Sequence, residues 1–196
     1  MANIVWPASM CPRTFSLQLL ADVRTSASVY GGSEIVNDLA DDTWTVSMEV
    51  DSRSGDTAAS LEALVNYLQG GIHTAEFGHF ARPQPRGTVL TTTLTAGASK
   101  GADSLTIATT PGQIVKVGDF LGVSDLLLQC SKTVTATTTS TSINLVNRLR
   151  KGLTTGLQAN FNNPKIKWRL SDSSEVKNLV GYTGPVTLNF IEAIDG

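Results

Sequence analysis

Seven residues from Trp44 to Val50 alternate strictly between apolar and polar, placing Trp44, Val46, Met48 and Val50 on one side. A period of two is the mark of a half-buried strand. The turn-forming run from Asp51 to Thr57 ends it, and the period then changes. Leu61, Leu64, Val65 and Leu68 fall at i, i+3, i+4 and i+7, one stripe of an amphipathic helix from about Ala58 to Gln69. Asp56 or Thr57 supplies its N-cap, and Gly70-Gly71 supplies a left-handed stop. Buried on a sheet, each side chain of that stripe contributes about 1.5–3 kcal/mol.

The alternation recurs in Phe15-Ser16-Leu17-Gln18-Leu19, in Ile166-Lys167-Trp168-Arg169-Leu170 and in Val186-Thr187-Leu188-Asn189-Phe190. Ile35-Val36 and the run from Thr74 to Phe80 read as further strands, and residues 1–14 as an irregular lead-in. From 88 to 150 the texture is different. Short apolar runs at 89–94, 104–108, 120–123, 126–130 and 142–146 are separated by Gly, Pro and Asp turns in a Thr/Ser-rich background. Short strands at that spacing predict a small barrel of their own, an oligonucleotide-binding-type barrel being one candidate. The prolines of Arg82-Pro83-Gln84-Pro85-Arg86-Gly87 mark the linker into it. A well-patterned terminal strand is stable only inside a sheet, so the two ends of the chain are expected to fold together. The expected fold is mainly β. Residues 1–87 and 151–196 form a β-sandwich with one helix packed on it, and residues 88–150 form an inserted small β-barrel.

With 196 residues, 41% of them hydrophobic, the chain can bury a real core. Only 16% are charged, well under the usual quarter, which suits a turn-rich β protein. A net charge of −2 speaks against a dedicated nucleic-acid binder, which needs clustered cations to displace phosphate counterions. The one basic group, Arg148-Leu149-Arg150-Lys151, reads as a solvated or subunit-contacting surface. No export signal is read at the start, and no apolar run approaches the ~20 residues of a membrane span. Cys11 and Cys130 are accordingly expected to be reduced thiols.

Candidate chemistry is thin. Gly97-Ala98-Ser99-Lys100-Gly101 has its lysine before the second glycine and a strand after it, so it reads as a turn and not a phosphate loop. His73 and His79, with Glu76 and Cys11 as company, lack an identifiable third ligand for zinc. Glu34, Asp38, Asp41 and Asp42 form an acidic cluster in a turn, where carboxylates bond local backbone. No serine stands in a Gly-x-Ser-x-Gly elbow, and the insertion has Phe120 as its only aromatic, too few for stacking bases. No catalytic, cofactor-binding or metal-ligating residue is therefore expected, and the protein is not expected to be an enzyme.

A series of short segments remains. It comprises Trp6-Pro7, the strand with Phe15 and Leu17, the loop ending Tyr30-Gly31-Gly32-Ser33, and Trp44 opening its strand. Then follow the helix from Leu61 to Gly70, Pro85-Arg86-Gly87 and Val117-Gly118-Asp119. Leu149-Arg150, Asn163-Pro164-Lys165, Trp168-Arg169-Leu170 and a last strand running into Glu192 complete it. In order and spacing this resembles the distal tail proteins of long-tailed (siphovirus-type) bacteriophages, in the form carrying a small inserted barrel. Two departures stand out: the loop at 24–33 lacks a Ser-Pro-Phe-type start, and residues 133–141 are unusually rich in threonine.

The resemblance implies a structural virion protein without cofactors, located at the tail tip after assembly in the host cytoplasm. Its copies form a ring, a hexamer in that family, between the last ring of tail tube protein and the tail-tip hub protein. The sandwich would form the ring and line the channel, through which DNA passes without specific binding. The insertion would project outward towards host-binding proteins, with the tape-measure protein as a further neighbour and no membrane insertion. A tail tube or tail terminator subunit is an alternative, although those are usually a single sandwich. A carbohydrate-binding β-module is another, motivated by Trp6, Trp44 and Trp168, which it would need on the surface. A hydrolase using Asp or Ser is the remaining class.

Overall fold

The computed structural model describes residues 2–27, 31, 34–38, 42–51, 55–172 and 185–194. Asp41, and all of the Tyr30–Ser33 loop except Gly31, lie outside the described residues. The first strands are β1 (Asn3–Val5), β2 (Thr14–Leu20), β3 (Val23–Ala27), β4 (Glu34–Asp38) and β5 (Thr43–Asp51). Helix α1 (Gly55–Leu68) precedes β6 (Thr74–Phe77), β7 (Thr91–Thr93), β8 (Ser104–Ala108) and β9 (Ile114–Val115). Next come β10 (Phe120–Val123), β11 (Leu126–Gln129), β12 (Val134–Thr135) and β13 (Ser140–Asn144). The last are β14 (Gln158–Asn160), β15 (Ile166–Asp172) and β16 (Pro185–Glu192). The protein is mainly β, with several sheets and, among the described residues, one α-helix.

Both ends of the chain meet in one six-stranded sheet of order β1-β6-β15-β16-β5-β2. Every neighbouring pair is antiparallel except β1 with β6, which is parallel. The register aligns Phe190 with Val46, Leu188 with Met48 and Val186 with Val50, so the inward residues of β16 and β5 stack on one face. Trp44, Val46, Met48 and Val50 are all 4% exposed or less, as the period of two requires. They share a core with Leu61, Leu64, Val65 and Leu68 of α1, with Trp6 and Met10, and with Trp168 and Phe190. The opposite face carries Ser16, Gln18, Thr45, Ser47 and Asn189 and forms a shallow polar trough.

The helix begins three residues before the expected Ala58 and ends at Leu68, followed by a tight 3-10 turn, Gln69–Gly71. Gly70 (φ 62°) and Gly71 (φ 99°) adopt the left-handed stop. At Gly71 there is a second constraint, since a Cβ would lie 2.7 Å from Cγ of Arg169.

A separate core is built by the insertion. Its four-stranded sheet has the order β11-β10-β14-β7, accompanied by the ribbons β9–β12 and β8–β13. Leu105, Ile107, Leu121, Leu128, Ile143 and Phe161 are buried together there. This core runs past residue 150, the expected edge of the insertion. Leu153, Ala159 and Phe161 belong to it, and Gln158–Asn160 pairs with Thr91–Thr93. Gln-Ala-Asn has no hydrophobic period of its own and is a strand only because β7 and β10 flank it. The two cores interlock, because Phe120 and Leu127 of the insertion are buried in the core of the large sheet.

Candidate assembly surfaces and the junction behind them

Several of the short segments singled out in the sequence converge where the insertion leaves and rejoins the large sheet. At the departure, Asp119 is buried, and its Oδ1 accepts the backbone N–H of Arg86 at 2.9 Å. Its Oδ2 accepts the N–H groups of Gly87 and Lys116, both at 3.0 Å. A carboxylate holding three backbone donors ties the linker Pro85-Arg86-Gly87 to the turn Val117-Gly118-Asp119. Gly87 is sterically required there: a Cβ would sit 2.3 Å from the Ile114 carbonyl oxygen. The Arg86 guanidinium closes the turn by donating to the Val117 carbonyl.

At the return, Glu192 of the last strand is buried and accepts N–H bonds from Trp44 (3.3 Å) and Leu127 (3.1 Å). Arg150 forms an ion pair with it, the two side chains being 9% and 0% exposed. Arg150 also donates to the Thr43 hydroxyl at 3.1 Å. The Leu127 carbonyl in turn accepts from Trp44 Nε1 (2.8 Å) and Asn147 Nδ2 (2.9 Å). One carboxylate thus joins β5, β16 and the insertion. Burial pushes the Glu192 carboxyl above its ordinary pKa, and the Arg150 charge and the two N–H donors pull it back. Nearer the linker, Phe120 packs on Trp44 and His79, and the Arg82 guanidinium lies 4.9 Å from its ring centre. Lys151 and Lys167 flank Asp125 at the rim (3.2 and 3.5 Å).

Sequence reasoning missed this node. Its signal was present in the last strand, where Val186, Leu188, Phe190 and Glu192 occupy the inward phase, so a carboxylate falls in a buried register. The basic group at 148–151 is accordingly corrected: Arg150 is a buried partner of Glu192, not a surface cation, because the C-terminal strand supplies a charge inside the junction.

The other candidates are dispersed. Gly97 to Gly101 is a turn of the insertion, with Ala98 bridged to Leu153 and the Gly101 N–H donating to the Leu149 carbonyl. His73 Nδ1 accepts the Ala2 N–H at 3.2 Å, and His79 Nδ1 accepts the Arg82 N–H at 3.1 Å. Asp42 accepts the Asp22 N–H at 3.3 Å. Cys11 and Cys130 are free thiols, the first exposed and the second buried, with burial pushing the Cys130 pKa up to about 12. Among the described residues, no three His, Cys, Asp or Glu side chains gather as a metal site. Trp6, Trp44 and Trp168 are all buried, each donating its indole N–H to a main-chain carbonyl. They offer no exposed platform for a sugar ring.

The remaining feature is at the sides of the large sheet. β1 and β2 are its terminal strands, and among the described residues each has one edge unpaired. Among the described residues eight large hydrophobic side chains are exposed, and four of them lie beside these two strands. Val5, Ile72 and Tyr67 lie on the β1 side, where the Tyr67 ring packs on His73 and Thr74 pairs with Asn3. Leu20 lies at the end of β2. Bare strand edges with apolar flanks are joining surfaces unless something blocks them.

Neither the protein-family models nor the curated protein sequences compared with this chain match it. Among the described residues no helix is long and apolar enough to cross a membrane.

Proposed function

We propose that this chain is a structural virion subunit that closes into a ring at the distal end of a long-tailed bacteriophage tail, joining the tail tube to the tail-tip hub. The observation that supports it best is the pair of unlike edges on one sheet, unpaired among the described residues, with exposed apolar side chains beside them. Joining the β1 edge of one copy to the β2 edge of the next is a heterologous contact, and repetition of such a contact generates a ring when the rotation closes. Six copies is the number implied by the family resemblance. In this reading the six-stranded sheet with its helix is the ring-forming sandwich, and the insertion is the small outward barrel. The Glu192 and Asp119 clasps hold the two as one unit. The net charge of −2 per copy makes the ring mildly acidic, so DNA would pass without the phosphate contacts that produce binding.

Native mass spectrometry and negative-stain imaging test this reading, with closed rings as the expected species. A label on the chain should appear at the tail tip of assembled particles. A protein that stays monomeric at high concentration and is absent from the tips of purified particles refutes it.

A further inference from the structure

Between the insertion and the large sheet lies an open cleft of about 700 Å³, a volume in the range of ligand sites. Glu76, Ser124, Gln158, Asn160, Asn162 and Lys165 contribute its polar lining. We propose that this cleft binds a neutral polyhydroxylated ligand, a short oligosaccharide, through side-chain amides and hydroxyls.

Three observations carry the assignment. The first is unspent hydrogen-bonding capacity. Asn160 Oδ1 already accepts from the Thr91 hydroxyl (3.3 Å) and the Asn162 N–H (3.1 Å), which orients that amide and leaves its NH2 group available. Gln158 and Asn162 make no side-chain bond to any described residue. A planar amide both donates and accepts, and so does a sugar hydroxyl, so neighbouring amides can meet vicinal hydroxyls in pairs.

The second is the backbone. Among the described residues, three that are not glycine have positive φ: Gln69, Ser124 and Asn163. Asn163 (φ 51°) lines this cleft, as does Ser124 (φ 57°), whose sign follows from the two-residue hairpin turn between β10 and β11. Left-handed conformations at residues with a Cβ persist only where the surroundings enforce them, and they concentrate at binding and active sites. Here the enforcement is visible. The Asn163 N–H donates to the Pro83 carbonyl, and Pro164 presses on Gly122, where a Cβ would lie 3.2 Å from that of Pro164. The floor of the cleft is therefore preorganised before any ligand arrives.

The third is the chemistry that is absent from the lining. Among the described residues it contains one carboxylate, Glu76, already held by Asn3 Nδ2 at 2.7 Å, and one ammonium, Lys165. Balanced charge disfavours a polyanion, and among those residues no aromatic ring is present to stack a base. The same lack of an aromatic face makes the interaction weak, resting on hydrogen bonds alone.

Saturation-transfer NMR with maltotriose and N,N′-diacetylchitobiose, together with a printed glycan array, tests the site. The expected result is a signal from at least one neutral oligosaccharide. It should weaken at least about fivefold in the double variant Gln158→Ala with Asn162→Ala, since each substitution removes a net hydrogen bond. Both positions are exposed, so the melting temperature should be kept, and Leu90→Ala should bind as wild type. Silence across both probes and the array overturns the assignment, and so does undiminished binding by the folded double variant. Preference for sulfated over neutral glycans, lost in Lys165→Ala, also overturns it. The cleft belongs to a single copy of the chain, so none of these failures bears on ring formation.

Discussion

Replacing Arg150 with methionine probes the junction directly. Glu192 is buried with its side chain fully enclosed, and Arg150 is the cation that compensates it. Arg150→Met keeps most of the aliphatic volume, leaves the carboxylate with two backbone N–H donors and removes one donor to the Thr43 hydroxyl. Removing one partner of a buried ion pair costs about 3–5 kcal/mol, because the other charge stays out of water without compensation. Urea unfolding near neutral pH should show a loss of that size. Adding Glu192→Gln should recover most of it, since the amide removes the stranded charge and keeps an acceptor.

The pH dependence has a definite sign. Burial raises the Glu192 pKa, so between the ordinary carboxylate value and the raised one the folded chain holds a proton that the unfolded chain does not. Stability from this group is therefore greatest below that window and falls as pH rises through it. Without Arg150 the window extends upward, so the gap between variant and wild type should widen as pH rises through it and narrow on acidification. A gap below about 1 kcal/mol near neutral pH, the scale of a solvated surface pair, or one that does not close on acidification, refutes the clasp.

Gly87→Ala should cost about 1–3 kcal/mol or more in thermal or urea unfolding, because the added methyl meets the Ile114 carbonyl and displaces the N–H bond to Asp119. His79, whose pKa is lowered by burial and then by the Arg82 charge, contributes stability that is complete above its ordinary value of 6.5 and lost as pH falls towards the lowered one. His79→Phe should flatten the dependence of the urea midpoint on pH in that range. If ring closure uses the two sheet edges, Val5→Glu and Leu20→Glu should each give monomers in sedimentation velocity with unchanged melting temperature. Leu90→Glu, exposed on the insertion, should leave assembly intact.

The local periods were readable without coordinates, and the reason is physical. A period of two in β2, β5, β15 and β16, and of 3.6 in α1, records which side of each element faces a core. Joining of the two chain ends in one sheet also followed from pattern, since an alternating last strand needs neighbours. Strand order, the reach of the insertion to Phe161 and the burial of Arg150 were different. Gln158–Asn160 is a strand by virtue of what flanks it, and Arg150 is buried because Glu192, forty-two positions away, arrives beside it. The cleft unites Glu76, Ser124 and Asn162 from separate parts of the chain, and nothing local announces it. What the amino-acid order determined alone was the inward face of each element. Which charges and amides meet was decided by tertiary packing, because a pairing energy depends on distance and burial, and neither exists until the chain has folded.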